Sequence, residues 1–213
     1  MQINSPRPNG EHSEFSQMES IVFSRAAEII RCGSGREAEM MDILSTFPRL
    51  GRMTCPKGVT LLMISCMYGR WAMAEALLPW SSCADVDDGG NNALMLAFFG
   101  CLQFRRELTI PRQIMGLIEN SSPSVKNEQD CSALTIAINN LSPEAAEQTV
   151  RAMMSFWPAH PDLANDLSMA AKARLQPKYS WMGPLALLAV EICAIGQASL
   201  PAGELQSIPR GRL

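Results

Sequence analysis

The chain has 213 residues, 47% of them hydrophobic and 18% charged, enough apolar material to bury a core, and this excludes wholesale disorder. A formal net charge of -3 lacks the concentrated positive field that a nucleic-acid or anionic-membrane binder needs, so proteins are the expected partners. Seven cysteines, with no CxxC pair and mostly inside apolar runs, are the usage of a reducing cytoplasm, where a thiol behaves as a small core hydrophobe.

Residues 1–18 are rich in Ser, Asn, Pro and Gln and carry no apolar run, so a disordered leader is expected there. It reads either as a frayed tail or as the leader of a bacterial contact-dependent secretion system. Between Glu19 and Arg31 the apolar residues Ile21, Val22, Ala26, Ile29 and Ile30 fall at helical spacings, and Gly33 follows as a stop signal. A second helix is predicted from about Arg36 to Ser45, with Ala38, Met41 and Leu44 on one stripe and Pro48 beyond its end. Thr60 to Met67 and Ala72 to Leu78 predict another pair, and Asp85 to Asn92, carrying Gly89 and Gly90, reads as a turn.

The pattern then repeats. Gly58 to Cys66, Gly90 to Phe98 and Asp130 to Ile138 superimpose without gaps, and their leucines Leu62, Leu94 and Leu134 stand 32 and 40 residues apart. Leu62 to Leu77 covers 15 residues whereas Leu94 to Leu117 covers 23, which locates the extra eight around Cys101 to Arg112, between the two helices of the second unit. Pro161 to Gly196 predicts a last pair, with helices near Leu163 to Leu175 and Gly183 to Ile195. Trp181 to Ile195 is the most apolar stretch, but Gly183, Pro184 and Glu191 break it, so it reads as a buried helix and not as a bilayer span. Residues 199–213, with Pro201, Gly203, Pro209 and Gly211, read as a flexible tail.

The aligned segments resemble the ankyrin repeat over Gly58 to Val150. Gly58, Thr60, Leu62, Ser65, Cys66, Gly69, Met73, Ala74, Leu77 and Leu78 fall on the family's pattern, with the turn beginning at Ala84 to Asp87. Leu61, Ala93 and Ala133 replace its proline, and Met63, Met95 and Thr135 its histidine, so the units are degenerate. The resemblance implies an all-α fold: a short solenoid of helix-turn-helix repeats over residues 19–198, with atypical capping helix pairs at Glu19 to Leu50 and Pro161 to Gly196. The alternative is an irregular helical bundle.

Several constellations invite a chemical reading. Gly33 to Ala38 fits the dinucleotide fingerprint GxGxxA, but a helical pattern precedes it where a strand is required, so a helix-helix turn is expected. Only two histidines occur, His12 in the leader and His160 between Pro158 and Pro161, and neither has metal-ligand spacing. A cysteine-dependent hydrolase would have to pair His160 with Cys83 or Cys131, both in predicted turns. Arg105 and Arg106, beside Phe104 and next to Glu107, read as a solvated loop.

What remains is a surface for a protein. The ankyrin resemblance implies binding through a concave face lined by turn tips and inner helices, which on this chain would include Asp87, Asp88 and Asn91 at one tip and Asn127, Glu128 and Gln129 at the next. Tyr68, Arg70 and Trp71, of types enriched at interaction hot spots, follow the first helix of the best-matched unit. The inserted loop with Phe104, Arg105 and Arg106 is a second candidate. The expectation is therefore a non-enzymatic, cytoplasmic adaptor for one protein partner, with no cofactor, metal, nucleic acid or membrane. Secretion into a host cell as a virulence effector is a further expectation. The alternatives are an immunity or inhibitor protein that occludes a toxin or enzyme, and the cysteine-dependent hydrolase.

Overall fold

Short apolar runs fold as helices, and several of them, opening after Thr60, Asn92, Ser132 and Ser142, begin on a capping side chain. The computed structural model describes residues 17–33, 35–104, 112–158, 160–173 and 177–198. In chain order the helices there are α1 (Gln17–Cys32), α2 (Glu37–Thr46), α3 (Leu61–Met67), α4 (Trp71–Leu77) and α5 (Ala93–Phe104). They continue as α6 (Arg112–Glu119), α7 (Ala133–Asn140), α8 (Pro143–Phe156), α9 (Pro161–Ala173) and α10 (Met182–Ala198). Among the described residues, β pairing is limited to two isolated bridges, Thr54 with Thr60 and Lys126 with Ser132, so the described part of the chain is all-α.

The caps recur at equivalent places. Thr60 Oγ1 accepts from the Met63 N–H (3.2 Å), Asn92 Oδ1 from the Met95 N–H (3.0 Å) and Ser132 Oγ from the Thr135 N–H (3.3 Å), opening α3, α5 and α7. All three caps are buried, so the N–H groups they satisfy have no water to turn to. Ser142 caps α8 in the same way, with Pro143 in the first turn, where its missing N–H is not needed.

The helices pack in two rows. In one, α1 lies against α3, α3 against α5, α5 against α7 and α7 against α9; in the other, α2, α4, α6, α8 and α10 follow one another in the same manner. Each pair, from α1 with α2 to α9 with α10, also packs together. Small residues set the spacing of the first row. Ser65, Ala97 and Ala137 are fully buried, and the Ser65 hydroxyl is satisfied inside its own helix by the Leu61 carbonyl at 3.0 Å. At Gly100 a Cβ would collide with the Cys66 carbonyl oxygen, so α5 approaches the end of α3 more closely than any side chain allows. The apolar interior runs through both rows and includes Ile30, Leu44, Leu62, Leu94, Phe98 and Leu134. Side chains of this size each contribute about 1.5–3 kcal/mol when fully buried.

The start of the first helix and the burial of the last one need adjusting, and several other expectations fall outside the described residues. Residues 101–104 of the inserted segment extend α5 by another turn, while residues 105–111 lie outside the described residues. Residues 1–16 of the expected leader and the expected tail, 199–213, also lie outside them, and α1 begins at Gln17. The expected buried helix is buried on one side only. In α10, Met182, Leu185, Ala186, Ala189 and Cys193 face α8 and α9, but Leu187 (68%), Val190 (48%) and Ile195 (66%) are exposed. The window Pro177–Ile195 passes for a membrane span by length and composition alone, and 28% of it is buried.

Candidate interaction face

The loops before α3, α5 and α7 are built alike. Their turns are Cys55 to Gly58, Asp87 to Gly90 and Asn127 to Asp130. In each, the fourth N–H returns to the first carbonyl at 2.9 Å. The first N–H reaches the carbonyl four residues on, Cys55 to Val59 (2.9 Å), Asp87 to Asn91 (3.0 Å) and Asn127 to Cys131 (3.1 Å). The fourth residue is left-handed every time, with φ of 73° at Gly58, 76° at Gly90 and 58° at Asp130. Glycine adopts this freely, and Asp is among the few other residues that tolerate it.

Side chains lock the second and third turns. Asp87 Oδ1 accepts from the N–H groups of Gly89 (2.9 Å) and Asn91 (2.8 Å), and Asn127 Oδ1 accepts from those of Gln129 (3.1 Å) and Cys131 (3.0 Å). Adjacent turns are joined through the backbone, the Asp88 N–H donating to the Lys57 carbonyl (3.0 Å) and the Glu128 N–H to the Gly89 carbonyl (2.9 Å). Asn127 Nδ2 adds a side-chain rung to Asn91 Oδ1 at 3.0 Å, and Asn91 Nδ2 in turn donates to the Asp87 carboxylate. Beyond the third turn, Lys126 bridges to Asp166 (3.8 Å) and Ser124 Oγ meets His160 Nε2 (3.3 Å), both reaching the α9 region. Asp166 and, after it, Asp130 raise the Lys126 pKa.

The candidate residues therefore have different fates. Asp87 and Asn91 are half-buried and Asn127 is 7% exposed, because their polar atoms hold the turns together. Asp88 and Glu128 occupy the same position of successive turns and point outward, fixed by their rung N–H groups. Arg70 is half-buried and donates Nε to the Ile30 carbonyl (3.2 Å) and a terminal guanidinium nitrogen to the Arg31 carbonyl (3.1 Å), which caps the end of α1. Tyr68 closes α3 and Trp71 is the first residue of α4, both half-buried against the core. Phe104 ends α5, with its side chain outside the described ones, and Arg105 and Arg106 lie outside the described residues.

A cleft of ≈ 460 Å³ borders this face between α1 and the first turn. Phe23 and Ala27 from α1 and Met53, Cys55 and Pro56 from the loop supply apolar lining, while Arg31 and Asp88 also line it. No sequence signal marks this cleft, since its walls come together only when α1 packs beside α3.

The residues considered for hydrolysis, Cys83, Cys131 and His160, each have their own surroundings. Burial, with Asp85 adjacent, pushes the Cys83 thiol up to about 11, the opposite of an activated nucleophile. Cys131 Sγ is directed to the Gln129 carbonyl at 3.6 Å. His160 faces Ser124 and, at 3.8 Å, Asp162, a separation too long for the hydrogen bond that orients a catalytic imidazole. The glycine-rich segment from Gly33 joins α1 to α2, so no strand leads into it. No family model matches the chain, and no curated protein matches it.

Proposed function

We propose that this chain is an ankyrin-like repeat protein, a short solenoid of helix pairs that binds one protein partner through the face formed by its turn tips. The observation that carries the reading is the ladder: turns of identical hydrogen bonding, each followed by a buried N-cap and each joined to its neighbour by one backbone rung. Two rows of helices, each contacting the next in its row, support the same reading. On this face Asp88 and Glu128 are exposed acids held at equivalent places, so the partner would present basic groups. An inhibitor that occludes a basic enzyme or toxin is one form such an adaptor takes.

The test is capture of a partner by the full chain, compared with an Asp88→Lys/Glu128→Lys variant whose helical circular dichroism matches the wild type. Loss of the partner in the variant supports the tip face. Undiminished capture contradicts it.

A further inference from the structure

The rungs of the ladder all run in one direction, the second residue of each turn donating to the turn before it. In the first turn that position is Pro56, which has no N–H to give. Pro56 also lines the cleft against α1, so this wall lacks the N–H that forms the rung in the later turns. The side chains lining the cleft supply the rest of its chemistry.

The lining says what those side chains are. Phe23 (8% exposed) and Met53 (5% exposed) give an apolar floor, and Arg31 and Asp88 add one charge of each sign. Both charged residues are exposed, and among the described residues neither makes an ion pair. Two opposite unpaired charges around an apolar floor are complemented by an occupant that carries both. A volume of ≈ 460 Å³ admits an apolar side chain with its immediate neighbours.

We infer that the cleft is the anchoring subsite of the partner: it takes a short peptide segment in which one large apolar residue is flanked by an acidic residue, which meets Arg31, and a basic residue, which meets Asp88. This rests on the protein-binding reading above and narrows it to one place on the face.

The experiment uses the full chain and acetylated, amidated hexapeptides that carry a central Leu or Phe with Glu and Arg on either side, in both orders, each with an Ala-centred control. Binding is read by calorimetry. One charge order should bind, and its Ala control should bind about tenfold or more weakly, as expected for loss of a buried apolar side chain. Ser24→Trp, which fills the cleft from an exposed position, should abolish binding. Arg31→Glu or Asp88→Lys alone should weaken it about two- to fivefold, the range of exposed ion pairs, and the double variant should prefer the opposite charge order. The double variant keeps the test open should Ser24→Trp fail to fold.

Peptides that bind no better than their Ala controls, or equally well to both variants, overturn the proposal. So does binding of free amino acids in place of peptides. A captured partner that survives Ser24→Trp but is lost with Glu128→Lys removes the cleft subsite and leaves the tip-face reading standing.

Discussion

Asn127 and Asn91 are joined side chain to side chain, Nδ2 of the first donating to Oδ1 of the second at 3.0 Å, and this bond ties the third turn to the second. Asn127 is also the residue whose Oδ1 holds two N–H groups of its own turn. Asn127→Ala removes the shared acceptor of two N–H groups at a buried position and should destabilise the fold by about 1–2 kcal/mol in urea unfolding. Asn127→Asp, which restores the acceptor as Asp87 has it but loses the donor, should fall between. A loss under about 0.5 kcal/mol for the alanine variant, the range of ordinary surface substitutions, would show that the rung contributes little.

Asp130 is the odd member of the left-handed set that includes Gly58 and Gly90. Asp130→Gly should raise stability by about 0.5–1 kcal/mol, since relief of the positive φ exceeds the added freedom of the unfolded chain. The Lys126–Asp130 ion pair lost with it is exposed and contributes little. Thermal unfolding of the two proteins side by side gives the sign.

The match between these turns was legible in the sequence, where Gly58, Gly90 and Asp130 align and so do Thr60, Asn92 and Ser132. A left-handed position and an N-cap each admit few residue types, so local chemistry marks them wherever they recur. Asp87 and Asp88 were not distinguishable in the same way. They are adjacent and chemically identical, and only the turn geometry directs one inward to three donor groups, the Gly89 and Asn91 N–H groups and Asn91 Nδ2, and the other outward. Arg70 was beyond sequence reasoning for a different reason: the carbonyls it caps belong to α1, some 40 residues earlier, and only packing brings them near. The exposed side of α10 was missed because an apolar run carries no mark of which side will be covered.

Gly100→Ala should destabilise the fold by about 1–3 kcal/mol, because the methyl group meets the Cys66 carbonyl and α5 must move away from α3. Chemical denaturation measures this. An unchanged midpoint would mean that the two helices are free to separate at that point.

Burial raises the Asp85 carboxyl above its usual value, although the Ser82 hydroxyl and Arg52 draw it back. A carboxyl that binds its proton more tightly in the folded chain makes stability fall as pH rises through the carboxylate range. Asp85→Asn should therefore raise Tm at neutral pH, and the gain should shrink as pH falls through that range. A gain that grows in acid would contradict the assignment.

At neutral pH, iodoacetamide should label exposed Cys32 rapidly and leave Cys83 unmodified until the chain is unfolded, since the Cys83 thiol is buried and pushed up to about 11. Mass spectrometry of the native protein over time reads the order. Early labelling of Cys83 would place it at the surface.

The account depends on a rigid ladder that presents Asp88 and Glu128 as fixed tips, and amide hydrogen exchange measured residue by residue by NMR tests it most directly. The side chains of both residues are exposed while their N–H groups are rungs, so both amides should exchange about a hundredfold or more slowly than in an unstructured chain. Exchange of either at the unstructured rate would mean that the turns are not joined, and the face built on them would go with it.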